Sequence, residues 1–367
     1  MRIEMTSTND TPKRLLSLDI LRGIDMIFLT VAGVIVGGLN WGIGLPDCVL
    51  KQFDHPWGGF TAYDLIMPLF IFMSGAAVPL ALEKWRNSSE SWNCAFALHL
   101  VRRIATLWLL GMVAQGNLLT FDWPRIELFS NTLQSIAAGY AATVFVLLVR
   151  PRAVWIAPLL LTVAYSVLLA FGGDYSPQGN LAIRVEHWLT SPRPQQIYTW
   201  YLTILMFAAM ALWGAQSSLL LGRKNWPKWR RAGVLFAYGA GLLMAGFALM
   251  PWIPSIKQIY TASFTLRAVG VSMMLLATLY GWVDCAGHRR GWGWAVLYGR
   301  YALTAYVAHE LLGLLPGGLF GNGIVQLLTQ GVAYHFGQPS QLVAAGFVTA
   351  AIPLLAILVH RAIVRPR

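Results

Sequence analysis

The sequence predicts an all-α fold: a polytopic helical membrane protein of about ten transmembrane helices, with both termini cytoplasmic. Two observations carry this prediction. Of the 367 residues, 57% are hydrophobic and only 11% are charged, whereas a soluble domain carries about a quarter charged residues. The apolar residues also form long segments, and the basic residues fall almost entirely into every second gap between those segments.

The long apolar segments each approach the ~20 residues that a helix needs to cross the hydrocarbon core of a bilayer. Ten can be delimited, at residues 18–40, 60–82, 97–117, 131–149, 153–171, 198–221, 232–250, 261–283, 294–314 and 341–360. We expect each of them to form a transmembrane helix.

The basic residues give the predicted helices a direction. Twenty-one of the 27 Lys and Arg lie on one side of the membrane, and the other side holds Lys51, Arg125, Arg184, Arg193, Lys257 and Arg267. Positive charge is retained on the cytoplasmic face during insertion, so the basic side and both termini are expected to be cytoplasmic. The same rule accounts for the net charge of +12. No nucleic-acid partner is expected, because no basic run accompanies a nucleic-acid recognition motif.

The chain divides into a short polar segment and one membrane domain. Residues 1–17 are expected to form a cytoplasmic N-terminal segment, since the apolar stretch after them is too long for a cleavable signal peptide. Residues 18–362 are expected to form a single transmembrane domain. Its basic, Trp-rich connector at 222–231 suits the lipid headgroup layer. The three cysteines lack metal-ligand spacing, so no metal is expected.

A first group of charged residues lies toward the cytoplasmic side. Asp19, Arg22 and Asp25 are spaced by three, which places them on one helical face. One interpretation is a self-neutralising cluster that anchors the first span. The other is an arginine that faces an anionic ligand from the cytosol, such as a nucleotide phosphate. Three further arginines share this depth and are otherwise ordinary membrane-edge charges: Arg102, Arg103 and Arg300.

A second polar group lies toward the exterior. His55 precedes Asp64 by nine residues, and the intervening Pro56, Gly58 and Gly59 allow a short turn that folds one side chain over the other. A histidine oriented by a carboxylate is the usual geometry of a general base or of a nucleophile that carries an acyl group. Other polar residues at the outer ends of spans are Asn131, Gln134, Lys257, Arg267, His309 and Glu310.

Five strings of the sequence resemble, in order, the heparan-α-glucosaminide N-acetyltransferase family, and more closely its bacterial branch linked to amino-sugar metabolism. They are SLDILRGID, AYDLIMPLFIFMSG, NTLQSIAAGY, PSIKQIYTASF and YALTAYVAHE, and the similarity covers residues 14–312. The resemblance implies transfer of acetyl from acetyl-CoA to the amine of a terminal glucosamine across a membrane. It places the essential histidine of the family at His55 and its partner aspartate at Asp64. It also places the His-Glu pair at His309 and Glu310, and the Pro-x-x-Lys segment at Pro254 and Lys257.

Two departures from the family leave the acceptor open. The lysosomal enzyme has an asparagine near the outer end of its first matched span, where Gly33 or a neighbour stands here, and its luminal soluble domain is missing. Its dimeric state implies a homodimer for this chain. A second acyltransferase family shares the opening motif but requires a histidine soon after it. Residues 24–33 contain none, so that family is rejected.

The expected enzyme binds CoA phosphates at the cytoplasmic mouth through Arg22, Arg102, Arg103 and Arg300. Its pantetheine arm then lies between helices, since an extended arm spans much of a ~30 Å hydrocarbon core. His55 deprotonates the acceptor or carries the acetyl group, and Asp64 holds its tautomer. Sugar hydroxyls or the thioester carbonyl are expected to contact Asn131, Gln134, Lys257, His309 and Glu310. The acceptor is an amino sugar or a glycan, and the location is the bacterial inner membrane.

Two other classes of function remain. An amino-sugar permease, for N-acetylglucosamine, would use Asp64 or Glu310 as a proton site during alternating access. A structural membrane scaffold is the third interpretation, and the outer polar cluster disfavours it.

Overall fold

A computed structural model describes residues 15–86, 94–116, 118–119, 126–190, 201–321 and 323–363. These residues form helices joined by turns, with no β-strand among them. In chain order the α-helices are α1 (Leu16–Ile27), α2 (Gly33–Ile43), α3 (Asp47–Leu50), α4 (Ile66–Arg86), α5 (Cys94–Ala114), α6 (Thr132–Val149), α7 (Ala157–Gly172), α8 (Leu181–Thr190), α9 (Ile204–Leu221), α10 (Lys228–Leu249), α11 (Ala262–Leu279), α12 (Gly293–Arg300), α13 (Ala302–Gly313), α14 (Gly318–Gly321), α15 (Gly323–Phe336) and α16 (Gln338–Ile363).

In the described residues, five short turns of other helix types extend or precede these helices. Two are π-helical, Phe28–Ala32 and Tyr280–Cys285, and three are 3-10 helices, Tyr63–Leu65, Pro151–Trp155 and Tyr201–Thr203. The first π turn joins α1 to α2, and these form one helical segment of 28 residues.

Eight helical segments in the described part of the chain are long and apolar enough to cross a membrane. They are Leu16–Ile43, Tyr63–Glu83, Phe96–Ala114, Thr132–Val149, Tyr201–Leu221, Lys228–Leu249, Ala262–Cys285 and Gln338–Ile363. They coincide with eight of the ten predicted spans. The fold is therefore all-helical, as predicted, and has the composition of an integral membrane protein.

The two other predicted spans are helical but interrupted. The segment predicted at 153–171 begins as a 3-10 turn at Pro151, and α7 follows with 16 residues before Gly173 ends it in a left-handed conformation. The segment predicted at 294–314 is divided between α12 and α13, because Tyr301 leaves the helical conformation with φ −110° and ψ 24°. Residues 1–14 of the predicted N-terminal segment lie outside the described part of the chain.

Helix α9 occupies the centre of the bundle, and its helical segment is the most buried of the eight. It packs closely against α4. A Cβ added to Gly75 would lie 1.8 Å from the carbonyl oxygen of Ala211, and one added to Gly214 would lie 1.9 Å from that of Phe72. Only glycine permits backbones to approach this closely, which is how membrane helices obtain tight contacts.

Helices α4 and α11 position the outer polar group. Both begin at the same end of the bundle and contact each other. The loop before α4 carries His55 and ends in the 3-10 turn with Asp64, and the loop before α11 carries Lys257. The two loops therefore meet above the helix ends.

Candidate functional site

His55 and Asp64 form the centre of the site. The Nδ1 atom of His55 lies 2.8 Å from the Oδ1 atom of Asp64. The second carboxylate oxygen of Asp64 accepts a hydrogen bond from the backbone N–H of Thr61 at 3.1 Å. The turn between the two residues thus brings them into contact, as the sequence predicted. The 3-10 turn at Tyr63–Leu65 places the Asp64 side chain in the interior.

Lys257 completes a three-residue cluster. Its Nζ atom lies 3.0 Å from the Oδ1 atom of Asp64 and 3.0 Å from the Nδ1 atom of His55. The side chains are progressively more accessible: Asp64 is 2% exposed, Lys257 16% and His55 38%. The cluster is therefore a buried carboxylate beneath a half-buried ammonium and an accessible imidazole.

The Nδ1 atom of His55 lies at hydrogen-bond distance from both an acceptor, the Asp64 carboxylate, and a donor, the Lys257 ammonium. The contact with the carboxylate is the shorter of the two, at 2.8 Å against 3.0 Å. We therefore assign a hydrogen to Nδ1, which donates to Asp64, and Lys257 then donates to the same carboxylate oxygen. The Nε2 atom, on the other edge of the ring, then carries the lone pair of a base or a nucleophile.

Burial and a neighbouring charge shift the pKa of Lys257 in opposite directions. This residue lies in the loop before α11. Burial lowers the pKa of its ammonium below the ordinary value, and the carboxylate of Asp64 opposes that lowering. The carboxylate of Asp64 thus stabilises the charged ammonium in a buried position, where a charge is otherwise costly. Groups with this combination of burial and a charged partner are characteristic of functional sites.

Hydrogen bonds join the two loops that carry His55 and Lys257. Gly59 donates from its backbone N–H to the carbonyl of Ser255 at 2.8 Å, and the Ser255 hydroxyl donates back to the carbonyl of Gly59 at 3.0 Å. The φ of Gly59 is +135°, a conformation that favours glycine. Arg267 donates to the Ser255 hydroxyl at 3.1 Å and lies over the ring of Phe60. These contacts fix Lys257 relative to His55.

Tyr63 connects the cluster to the predicted His-Glu pair. Its ring centroid is 5.3 Å from that of His55, and it interacts electrostatically with Glu310. Glu310 shares a hydrogen bond with Tyr306, whose hydroxyl donates to Asn131 at 3.3 Å. His309 is buried, and its Nδ1 atom has no hydrogen-bond partner among the described residues. The pair thus lies behind Tyr63, which sequence reasoning had not included.

Asn131 and Gln134 have structural roles at the start of α6. The Asn131 side chain accepts from the backbone N–H of Leu133 at 2.8 Å. The Gln134 side chain accepts from the N–H groups of Ser130 and Asn131 at 2.7 and 3.0 Å and donates to the carbonyl of Leu128 at 2.8 Å. This is a capping box, which satisfies N–H groups that the helix leaves unpaired. Their contact with a sugar stays a prediction.

The capping role makes Gln134→Ala a test of the two interpretations. If capping is its main role, the substitution should lower the stability of the protein by about 1 kcal/mol and leave the KM for the acceptor unchanged. Thermal unfolding and steady-state kinetics measure the two quantities. A raised KM with unchanged stability would instead assign Gln134 to the acceptor.

An open cleft of about 570 Å³ adjoins the cluster at the same end of the bundle. It lies between α2 and the segment 47–54, and its polar and aromatic lining includes Asn40, Asp47, Lys51, Phe53 and Asp54. Sequence reasoning had not singled out these residues, although two carboxylates close to the predicted histidine were a usable signal.

Tyr63 also bounds this cleft. Gly33 lines it, and a Cβ added to Gly33 would lie 2.7 Å from the Tyr63 hydroxyl. The ring of Phe53 lies 5.6 Å from that of Tyr63. The side chain of Tyr63, from the next span, therefore fills the space beside Gly33.

The four arginines predicted to bind CoA are only partly brought together. Arg22 pairs with Asp19 at 3.6 Å. Helix α12 crosses α1 at this point, since a Cβ added to Gly299 would lie 2.0 Å from the carbonyl oxygen of Asp19, and this places Arg300 beside the same crossing. Arg103 instead lies over the ring of Tyr140 at 4.5 Å, and Arg102 is exposed.

Asp25 lies one turn further along α1 and does not neutralise this cluster by an observed ion pair. It is 4% exposed, and within the part of the chain that the structure describes its Oδ2 atom has no hydrogen-bond partner. A buried acceptor without a partner is costly in a membrane and is commonly functional. In the described residues, no group of three or more His, Cys, Asp or Glu is arranged to hold a metal ion.

Residues 14–137 match the model of a domain of unknown function, DUF5009. The matched region includes Arg22, His55, Asp64 and the capping box, whereas Lys257 and Glu310 lie beyond it. No curated protein matches the chain.

Proposed function

We propose that this protein is an acetyl-CoA-dependent transmembrane N-acetyltransferase. It transfers acetyl from cytosolic acetyl-CoA to the amine of a glucosamine-type sugar on the periplasmic side of a bacterial inner membrane, with both chain termini in the cytoplasm. The single observation that carries the proposal is the contact of His55 with Asp64. It leaves an accessible imidazole with one nitrogen held by a buried carboxylate and the other available for reaction.

Acetyl-CoA enters from the basic end of the bundle. Arg22 and Arg300, beside the crossing of α1 and α12, bind its phosphates, because guanidinium groups match phosphate oxygens in pairs. The pantetheine arm then lies along α1 between the helices. Asp25 offers a buried acceptor to an amide N–H of that arm, which gives its unpartnered oxygen a use.

The acceptor enters through the outer cleft. Its ammonium group is attracted by the carboxylates of Asp47 and Asp54, and its sugar ring packs on Phe53. The cleft adjoins His55 in the chain and in space, since Asp54 accepts a hydrogen bond from the His55 N–H at 2.8 Å. The two carboxylates outnumber the one ammonium of the lining, that of Lys51, so the net charge of the cleft favours a cationic amino sugar over a neutral or anionic one.

The transfer step uses the Nε2 atom of His55 as a general base. It takes a proton from the acceptor ammonium, the free amine attacks the thioester carbonyl, and the carbon–sulfur bond breaks as the carbon–nitrogen bond forms. The CoA thiolate leaves and takes up a proton, and one proton is released in total. Asp64 stabilises the imidazolium that forms, and Lys257 keeps Asp64 ionised and in place.

A transfer assay in proteoliposomes tests the proposal. Labelled acetyl-CoA on the basic side and glucosamine on the other side should give labelled N-acetylglucosamine on the acceptor side. Acetyl-CoA or CoA at micromolar concentration should also raise the Tm of the purified protein. Uptake of labelled N-acetylglucosamine without any effect of CoA would instead identify a permease and would refute the enzyme.

A further inference from the structure

An apolar groove lies at the end of the bundle opposite His55. It has a volume of about 350 Å³ and runs between the start of α10 and the end of α11. Its walls are Trp229 and Phe236 on one helix and Trp282 on the other, and Gly233 and Gly281 form part of its floor. The two tryptophans are more than half exposed, at 62% and 55%. The groove is thus an open channel along the lipid-facing surface.

The fold explains why the groove forms at this end. Nearer the middle of the span, α10 and α11 touch at Gly239 and Gly270, where a Cβ added to Gly239 would lie 2.7 Å from the Gly270 carbonyl oxygen. At its end α11 continues into the π turn Tyr280–Cys285. At this end the ring of Trp229 reaches α11, since a Cβ added to Gly281 would lie 3.3 Å from it, whereas a Cβ added to Gly233 meets nothing within 4 Å.

Basic groups surround the mouth of the groove. Lys228 precedes the wall residue Trp229, and its Nζ atom donates to the carbonyl of Asp284 at 3.3 Å. The ring of His288 stacks on that of Trp282 with centroids 4.5 Å apart, and Arg289 follows it. Lys228 retains two further N–H donors for a ligand. The groove therefore combines an apolar channel with a cationic entrance.

We propose that this groove is a binding site for a single phospholipid with an anionic headgroup. One acyl chain lies in the channel between Trp229 and Trp282, and the headgroup phosphate is held by Lys228 and Arg289. Tryptophan rings at this depth match the boundary between acyl chains and headgroups. Anionic lipid is preferred to zwitterionic lipid because each nearby Lys or Arg attracts a negative headgroup. The site does not depend on the proposed catalytic activity.

The test fills the channel without disturbing the helix contact. A Cβ added to Gly233 meets nothing within 4 Å, so Gly233→Phe should fold and occupy the groove. The matched control is Gly241→Phe, two turns further along α10, where the space is equally open but lies outside the groove. Native mass spectrometry and thermal unfolding in detergent, with added phosphatidylglycerol or phosphatidylcholine, measure binding.

Wild-type protein and Gly241→Phe should retain one phosphatidylglycerol and gain thermal stability from it, and Gly233→Phe should lose both effects. Removal of one charge, by Lys228→Gln or Arg289→Gln, should weaken phosphatidylglycerol binding about fivefold and leave phosphatidylcholine binding unchanged. Equal binding of the two lipids by wild-type protein would overturn the proposal. So would retention of the bound lipid by Gly233→Phe, or its loss from both phenylalanine variants.

Discussion

The variant His55→Ala should lose acetyl transfer by a factor of about 10²–10⁴, the usual contribution of a general base. The imidazole is the accessible member of the cluster, and its side chain is 38% exposed. Its removal should therefore leave the fold intact, with Tm close to that of wild-type protein. Stabilisation by acetyl-CoA should also persist, since the arginines proposed to bind CoA lie at the other end of the bundle. The measurement is kcat/KM with labelled acetyl-CoA and glucosamine.

The matched control is His335→Ala, because His335 is also an exposed histidine but lies on α15, away from the cluster. It should transfer acetyl at the wild-type rate. An active His55→Ala protein would remove the role assigned to this residue. The same material separates two chemical routes: wild-type protein incubated with acetyl-CoA alone should release CoA only if His55 first carries the acetyl group.

Much of the fold was predictable because the membrane imposes simple rules on sequence. A helix that crosses the bilayer needs about 20 apolar residues, and such runs are visible without any knowledge of packing. The two interrupted segments show a limit of that rule, because the length of an apolar run does not reveal a break within it. The break at Tyr301 follows directly after Gly299 and Arg300, and one glycine and one charge within an apolar run do not by themselves reveal the end of a helix.

The candidate site was predictable where its residues are close in the chain. His55 and Asp64 are nine residues apart across a turn of proline and glycine, and their contact follows from that spacing. Lys257 lies about 200 residues away, and its contact depends on α4 and α11 starting together at one end of the bundle. Sequence reasoning placed Lys257 at the right depth but did not identify its partner.

Tyr63 and the outer cleft were missed for a related reason. An aromatic residue at the start of a span is usually part of the interfacial belt. Only the packed structure shows that this ring contacts His55, interacts electrostatically with Glu310 and lies against Gly33. At Asn131 and Gln134, by contrast, sequence reasoning assigned a binding role to residues that form a capping box. Polar residues at a helix start were interpreted as ligands for a sugar, although their local hydrogen bonds suffice to explain them.

The pair Asp64 and Lys257 should show the largest coupling in the molecule. Asp64→Asn leaves Lys257 without its carboxylate, and Lys257→Met leaves Asp64 without its ammonium. Breaking a buried ion pair from one side costs about 3–5 kcal/mol, whereas replacing both partners costs far less. Each single variant should therefore unfold at a clearly lower temperature, and the double variant should recover most of the loss. Thermal unfolding of all four proteins gives the interaction energy.

Activity should not follow stability in that cycle. The double variant is expected to fold well and still fail to transfer acetyl, because His55 no longer has a carboxylate to hold Nδ1 and to stabilise the imidazolium. Recovery of both properties together would contradict the catalytic role of Asp64 and leave the pair a purely structural one. Additive losses in stability would contradict the ion pair itself.

The pH dependence of transfer should report on Lys257. Burial lowers its pKa, so its ammonium loses its proton at a lower pH than an ordinary lysine does. Transfer should therefore decline as the pH rises, and the decline should begin below the pH at which a solvated lysine titrates. In Lys257→Arg the guanidinium stays charged, so the alkaline limb of kcat/KM should move to higher pH even where the rate itself is lower. An unchanged alkaline limb would show that the charge of Lys257 does not maintain Asp64 during catalysis.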